Sequence, residues 1–250
     1  MTDLLYLEDS YLREFDARVV TVTPDNGVVL DRTAFYPGGG GQPHDTGELR
    51  AGDRAWRVVS LRRGTEYGQV VHLLEGGPPP AVGTLVHGVI DWERRYRLMR
   101  THTALHVLCG VVFREYGALV TGGNMDVDKA RMDFELEDLN PDRVARIEAL
   151  VNEAIAQGLE VRWRTLPRAE AEQIPDLIRT KVNLLPPNIT DVRVVEIVGL
   201  DLQADGGTHV RNTREVGGIK VIGTRSKGRI NKRLEIALVD PSERAQGGLA

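Results

Sequence analysis

Two pairs of potential metal ligands are the most informative chemical feature of this sequence. The segment HTALH places His102 and His106 four residues apart, and the later segment DGGTHV does the same for Asp205 and His209. On a helix, residues i and i+4 project from one face, so the first two imidazoles can point at a common position. Zinc takes three or four N, O or S ligands, and a catalytic zinc keeps one position open for water. The two pairs therefore predict one zinc site per chain.

Other interpretations of these residues remain open at this point. Asp205, followed by two glycines, can instead cap a tight turn without binding metal. A zincin protease also uses two helical histidines, but it needs a glutamate directly after the first one, where this chain has Thr103. The single cysteine, Cys109, excludes an intramolecular disulfide and a cysteine-rich zinc knuckle. We interpret Cys109 as a buried thiol, because it lies in an apolar run.

These motifs, together with AFYPGGGGQPHDTG at residues 34–47, resemble those of the alanyl-tRNA editing proteins in their medium-length form. That family is related to the editing domain of alanyl-tRNA synthetase and usually carries a CxxxH pair, so Asp205 stands where a cysteine is expected. The resemblance implies a zinc-dependent deacylase of tRNA specific for alanine that is mischarged with serine, with glycine as a second candidate. It implies a catalytic role for His102, His106 and His209, and we expect Thr208 to hydrogen-bond in the site.

The resemblance also implies a substrate-discriminating loop, which in the family abuts the editing pocket and helps to favour serine. The residues at those positions are Gly38, Gly39, Gly40, Gly41 and Gln42. The glycine run alone fits a wide turn between strands equally well, because glycine permits positive φ. It is not a phosphate loop, since no Lys-Ser/Thr pair or helix start follows.

Two further residues have two interpretations that the sequence supports equally. Thr121 and Asn124 lie in VTGGNMDVDKARMDF, near the place where synthetase relatives often carry a glutamine. They either contact the acyl group or terminal adenosine, or only shape a hairpin turn.

Basic residues cluster in two stretches of an otherwise acidic chain, whose net charge is −4. Six cations and no acid lie between Gly217 and Leu234. A charge run is usually a solvated surface, but beside a predicted active site it favours a track for acceptor-stem phosphates. The predicted tRNA-binding residues are Arg94, Arg95, Arg97, Arg225, Lys227, Arg229 and Arg233.

The pattern of helices and strands predicted around these motifs indicates an α+β protein. Short extended runs up to residue 90, with a hairpin signal at Asn26-Gly27, predict a small antiparallel barrel or sandwich, of which we expect a β-barrel-like domain. Asp91 caps a predicted helix that carries the histidines and ends before Gly117, and Asn140-Pro141 opens a second helix that ends at Gly158. Irregularly interleaved helices and strands indicate an α+β editing domain over residues 91–241. Residues 242–250 are predicted to be a disordered tail.

The N-terminal segment carries acids and no continuous apolar run, so we expect neither a signal peptide nor a membrane span. We expect a cytoplasmic protein that acts in trans on tRNA, since the chain lacks room for an aminoacylation domain, and no obligate protein partner is implied. Two rival functions remain. One is a catalytically silent tRNA-binding module, and the other is a metallohydrolase of a small ester unrelated to RNA.

Overall fold

The computed structural model of the protein describes residues 2–66, 68–177, 180 and 189–240. They form two compact units, of which the first ends at Leu98 and the second begins at Met99. The folding domains proposed above, 1–90 and 91–241, remain predictions. The predicted tail at 242–250 lies outside the described residues.

Short strands dominate the described residues of the first unit. In chain order they are β1 (Asp3–Leu4), β2 (Glu14–Val22), β3 (Val28–Leu30), β4 (Arg32–Thr33), β5 (Gly47–Ala51), β6 (Arg54–Arg63), β7 (Val70–Glu75) and β8 (Leu85–Ile90). A closed antiparallel barrel has the strand order β2-β3-β7-β6-β5-β8, and β1 pairs with β4 in parallel. The predicted antiparallel barrel is therefore confirmed.

The barrel forms because its strands alternate apolar and polar residues, so that one face of each strand fills the interior. The pattern is clear in β2, where Phe15, Ala17 and Val19 are buried and the residues between them are exposed. The β2–β3 hairpin turns at Asn26, whose φ of 63° is the left-handed conformation that asparagine tolerates. This confirms the predicted hairpin.

Helices and strands interleave in the rest of the described chain. The helices are α1 (Trp92–Tyr116), α2 (Pro141–Gln157) and α3 (Arg168–Ala171). The strands are β9 (Val120–Met125), β10 (Lys129–Phe134), β11 (Val161–Pro167), β12 (Asp191–Ile197), β13 (Asp201–Ala204), β14 (Gly218–Gly228) and β15 (Asn231–Val239). Their described pairings make one antiparallel sheet in the order β14-β15-β10-β9 and another in the order β11-β12-β13. The predicted α+β class is confirmed.

The two long helices begin and end at the predicted residues. The Asp91 carboxylate accepts a hydrogen bond from the Arg94 amide at 3.2 Å, and α1 stops before Gly117, whose φ is +64°. Asn140 caps α2 through the Arg143 amide, and α2 ends at a left-handed Gly158.

The middle of α1 is enclosed by the protein. Residues 101–112 are all buried, which explains why the apolar pattern of this helix is broad rather than confined to one stripe. None of the described helices is both long and apolar enough to cross a membrane.

Candidate metal centre

Both predicted ligand pairs meet in the second unit. His102 and His106 lie one turn apart on α1, with ring centroids separated by 5.1 Å. His209, in the loop after β13, lies 4.2 Å from the His102 ring and 4.7 Å from the His106 ring. One potential ligand atom from each of these histidines and from Asp205 lies within 4.8 Å of the others. The four residues form a cluster that can hold a metal ion.

Asp205 belongs to this cluster and also shapes its own loop. Its Oδ2 lies 3.0 Å from His209 Nε2, and its Oδ1 lies 3.7 Å from His102 Nε2. The same Oδ2 accepts a hydrogen bond from the Gly207 amide at 2.7 Å. The turn and the ligand cluster, which the sequence presented as alternatives, therefore use the same carboxylate.

The electrostatics of the cluster favour the ionisation states that a cation requires. Burial lowers the pKa of His102 to about 4, although the nearby Asp205 carboxylate opposes the shift. Burial, followed by the neighbouring His102, also holds the pKa of His209 well below its usual value. Burial alone would raise the pKa of Asp205, but the adjacent imidazoles keep it well below the ordinary range. At neutral pH His102 and His209 are thus neutral imidazoles and Asp205 is an anionic carboxylate, the forms that bind metal.

Groups outside the cluster hold the three imidazoles, and sequence analysis missed most of them. Asp201 Oδ2 lies 3.1 Å from His106 Nδ1, and Thr103 Oγ1 lies 3.2 Å from His209 Nδ1. His102 hydrogen-bonds the backbone of Thr208, which is itself fully buried. The available signal for Asp201 was an acid at the start of a short strand, just before DGGTHV.

Arg193 is a second residue that the sequence did not indicate. Its Nη1 donates to the backbone oxygens of Asp205 and Gly207 at 3.0 and 3.1 Å, and its guanidinium lies 5.3 Å from the centre of the Trp163 ring. Because Arg193 lies on β12, these contacts hold the loop of Asp205 against that strand.

The glycine-rich loop of the first unit is a turn whose backbone conformation favours glycine. Gly38, Gly39, Gly40 and Gly41 all have positive φ, with values of 85°, 134°, 59° and 94°. Gly39 and Gln42 exchange two backbone hydrogen bonds, and Gln42 is buried. A Cβ on Gly39 would lie 2.9 Å from Arg63 Nη2, whereas a Cβ on Gly40 would meet no atom within 4 Å. This geometry explains the glycines at the level of the backbone, and their role in specificity remains a prediction.

Thr121 and Asn124 lie within strand β9, not in the turn that follows it. Both are exposed, and Thr121 Oγ1 donates to the side-chain oxygen of Asn231 at 3.1 Å. Their proposed contact with the acyl group or adenosine remains a prediction. The remaining candidate from α1, Cys109, is buried and is not a member of the cluster.

The cations before His102 occupy different environments. Arg95 is completely buried, and its guanidinium pairs with the Asp45 carboxylate and donates to Ala34 O at 2.6 Å. Arg95 offers no surface to a phosphate and is an internal ion-pair partner, which corrects the predicted tRNA contact. Arg94 donates to His44 O at 3.3 and 3.2 Å, while Arg97 lies 3.6 Å from Glu93.

The cations near the C-terminal hairpin also fall into two groups. Arg225 and Arg229 are exposed. Lys227 Nζ and Arg233 Nε bind the Asp133 carboxylate at 3.0 and 2.7 Å. The hydrogen bond from Arg233, followed by that from Lys227, lowers the pKa of Asp133 to about 2 against the opposing effect of burial. Two of the four predicted phosphate contacts therefore already pair with one buried carboxylate, which offsets one of their two positive charges.

Comparisons with known proteins match most of the chain. Family models described as tRNA synthetases class II (A) and as threonyl and alanyl tRNA synthetase second additional domain match residues 10–94 and 192–235. The chain is 44% identical to alanyl-tRNA editing protein AlaX-M of Saccharolobus solfataricus, over 94% of this chain and 98% of that protein. It is 43% identical to the protein of the same name from Methanosarcina barkeri, over 96% and 100%. Alanine–tRNA ligase of Pyrococcus furiosus is 40% identical over 89% of this chain but only 24% of that enzyme.

Proposed function

This chain belongs to the family of alanyl-tRNA editing proteins, and from that premise we propose that it is a zinc-dependent hydrolase of mischarged tRNA. Its substrate is tRNA specific for alanine that carries serine, with glycine as a second candidate, and it cleaves the ester between amino acid and tRNA. The observation that carries the proposal is the cluster of potential ligands, in which the three histidines are buried and the carboxylate is partly buried: His102, His106, His209 and Asp205. This function implies a cytoplasmic location, where aminoacyl-tRNA is consumed.

The donor set of the cluster fits zinc. Three imidazole nitrogens and one carboxylate oxygen are ligands that zinc accepts, and a softer metal would favour the thiolate that this site lacks. When bound, zinc supplies Lewis-acid chemistry, which polarises an ester carbonyl and makes water more acidic. The residues of the chain would hold that ion and keep bulk water away, since all three histidines are at most 7% exposed.

Thr208 contributes to the site through its backbone. It is fully buried, and its hydrogen bond with His102 restrains that ring. This contact supports a positioning role for the residue next to His209.

An editing hydrolase meets a chemical need that an aminoacylating site cannot meet alone. A pocket for alanine rejects larger amino acids by size, but small substrates differ in binding free energy by only about 1–3 kcal/mol per methylene group. A second, hydrolytic site therefore improves accuracy. The glycine loop at residues 38–41 with Gln42, and Thr121 with Asn124, are the residues we propose for substrate discrimination.

Phosphate contacts would come from the exposed part of the cationic surface. Arg225 and Arg229 are the strongest candidates because both are exposed, and Lys227 and Arg233 would have to share their charge with Asp133. Arg94 and Arg97 are further candidates.

The test combines metal analysis with deacylation of serine-charged and alanine-charged tRNA. We expect about one zinc per chain and hydrolysis of the serine ester only. The H102A/H106A variant should lose both zinc and hydrolysis. His87→Ala is the matched control, because this exposed histidine of β8 pairs only with surface acids, Asp16 at 2.8 Å and Glu14 at 3.4 Å, in the contacts described.

Each rival predicts a different failure. Full deacylase activity in H102A/H106A would contradict a metal mechanism. Tight binding of charged tRNA without hydrolysis would favour a tRNA-binding module. Hydrolysis of a minimal serine ester at a rate that the tRNA body does not increase would favour a small-ester hydrolase.

A further inference from the structure

Asp201 lies directly behind one of the three clustered imidazoles. It begins β13, its side chain is completely buried, and its Oδ2 is 3.1 Å from His106 Nδ1. The same oxygen accepts a hydrogen bond from Gln203 Nε2 at 2.7 Å. An ionised carboxylate only accepts hydrogen bonds, so Nδ1 of His106 must carry the hydrogen that lies between them.

A neutral imidazole carries one hydrogen on its two nitrogens. When Nδ1 donates that hydrogen to Asp201, the lone pair of His106 is on Nε2, which is then available to a cation. We propose that Asp201 is a positioning residue that selects this tautomer of His106 and fixes the orientation of its ring for the metal. The inference rests on the metal site of the proposed function, and it concerns a residue that touches neither the ion nor the substrate.

The three imidazoles differ in how they are held. His209 faces the hydroxyl of Thr103 at 3.2 Å, and His102 hydrogen-bonds the backbone of Thr208. Among the described contacts of the three rings outside the cluster, only that of His106 is with a carboxylate. A charged partner forms the strongest of these hydrogen bonds, so His106 is the most firmly restrained ring.

The charge of the site supports the same assignment. Asp201 is buried and Asp205 is partly buried, and among the described ion pairs Arg193 approaches Asp205, at 4.0 Å, and not Asp201. Buried charges are costly unless they are compensated. A divalent cation would compensate both carboxylates. Asp205 would bind the cation as a ligand, and Asp201 would interact with it through the His106 ring.

The fold brings Asp201 to His106 through a glycine on α1. Gly110 lies four residues after His106, on the same helix face. A Cβ at this position would lie 3.0 Å from Leu200 O and 3.1 Å from Asp201 Cβ. The bare backbone of Gly110 therefore lets the start of β13 lie against α1, which sets the distance between the carboxylate and the ring.

The test measures zinc affinity by competition with a chromophoric chelator in the full chain. Asp201→Asn removes the charge, and Asp201→Glu keeps the charge but moves the carboxylate by one methylene. Both should bind zinc on the order of 10–100-fold more weakly, as for other carboxylate–histidine–metal arrangements. Glu148→Gln is the matched control: its carboxylate is half-buried and accepts from Lys220 Nζ and Val221 N at 2.8 and 2.7 Å, and its zinc affinity should not change.

A second readout does not depend on metal or activity. Nitrogen-15 NMR of metal-free protein should show His106 as the Nδ1–H tautomer in wild type and as a mixture in Asp201→Ala, which removes the acceptor. If Asp201→Asn does not fold, Gly110→Ala serves instead, because its methyl displaces Asp201 while every polar group remains. Gly110→Ala should also weaken zinc binding, by a smaller factor than Asp201→Asn.

The outcomes separate this inference from the proposed function. Wild-type zinc affinity in Asp201→Asn, together with an unchanged His106 tautomer in Asp201→Ala, would overturn the role of Asp201 alone. Retention of affinity in Asp201→Glu would show that charge matters and position does not, which also overturns it. A wild-type protein that binds no zinc would refute the metal site, and an Nε2–H tautomer in that protein would refute the Asp201 assignment as well.

Discussion

The Asp205 carboxylate stabilises the turn at Gly207 and also belongs to the cluster of potential metal ligands. One oxygen accepts from the Gly207 amide and contacts His209, while the other faces His102. A cysteine at this position would supply a softer ligand for zinc but would lose the carboxylate hydrogen bond to Gly207. Replacements at residue 205 can therefore separate the two roles.

We predict that Asp205→Cys binds zinc at least as tightly as wild type. Asp205→Asn and Asp205→Ala should bind zinc much more weakly. The asparagine variant is the matched control for the turn, because its side-chain oxygen can still accept from Gly207. The loss of a ligand should lower zinc affinity by more than the roughly 10–100-fold that follows from losing a residue that hydrogen-bonds a ligand. Competition with a chelator measures the affinity, and equal values in all four proteins would show that residue 205 is not a ligand.

At the scale of single elements, the glycine-rich loop provides a direct test of substrate approach. Gly40 has a φ of +59° and its Cβ would meet no protein atom within 4 Å. An alanine there costs about 1–2 kcal/mol for its left-handed backbone and leaves the packing unchanged. Any further effect must come from a molecule that approaches the loop.

We predict that Gly40→Ala lowers hydrolysis of serine-charged tRNA by about tenfold or more, or allows cleavage of alanine-charged tRNA, while zinc content stays constant. Gly52→Ala is the matched control, because Gly52 has a φ of +54° and equally open surroundings in the β5–β6 turn. Deacylation rates on both substrates measure the effect. Identical rates in the two variants would assign the glycine run to a structural turn.

The barrel contains a pH-sensitive contact in His72 of β7. Its Nδ1 donates to Val28 O at 3.0 Å, and its Nε2 accepts from Thr33 Oγ1 at 2.9 Å. Burial lowers the pKa of His72 from 6.5 to about 4, although the Val28 hydrogen bond opposes the shift. Between these values the unfolded chain binds a proton that the folded protein does not, so the free energy of unfolding falls as pH decreases from 6.5 towards 4.

We predict that this histidine lowers the free energy of unfolding by about 1.5 kcal/mol between pH 6.5 and pH 5. Urea unfolding of wild type and His72→Gln at several pH values measures it. The glutamine cannot titrate, so the difference between the two proteins isolates His72 from other groups. Parallel curves for both proteins would mean that His72 is not held neutral in the folded state.

For the whole molecule, electrostatics decides whether RNA reaches the site. The net charge of −4 disfavours tRNA binding in general, so any affinity must come from local cations such as Arg225 and Arg229. Each phosphate that they neutralise releases counterions, which makes binding weaken as salt rises. The paired cations Lys227 and Arg233 should contribute less, because the Asp133 carboxylate that both contact offsets one of their two charges.

We predict that R225Q/R229Q makes the log–log salt dependence of tRNA binding shallower by about 1.4–1.8, the value for two phosphate contacts. The R54Q/R57Q variant of β6 removes the same charge from exposed positions and should keep the wild-type slope. Cleavage of a minimal serine ester should be the same in all three proteins. A wild-type slope in R225Q/R229Q would show that these arginines are only solvated and that tRNA is held elsewhere, with Arg94 and Arg97 as the next candidates.

The sequence alone determined the features that depend on local pattern. Asn26 and Gly27 mark the first hairpin, Asp91 and Gly117 bound the histidine helix, and the pattern of strands and helices predicts an antiparallel barrel-like domain and the α+β class, whereas closure of the barrel is seen only in the structure. The four cluster residues were also predictable, because i,i+4 spacing makes each pair visible as a short motif and the second pair completes the ligand number of zinc.

Only the tertiary structure decided which partners these residues have. Asp201 is 95 residues from His106, and Asp133 is 100 residues from Arg233, so no local pattern joins them. Arg95 looked like a member of a basic surface until the fold showed it buried against Asp45. A sequence displays the type and spacing of charges, but their energies depend on burial and on neighbours brought together by folding, and those decide whether a cation binds phosphate or a carboxylate of its own chain.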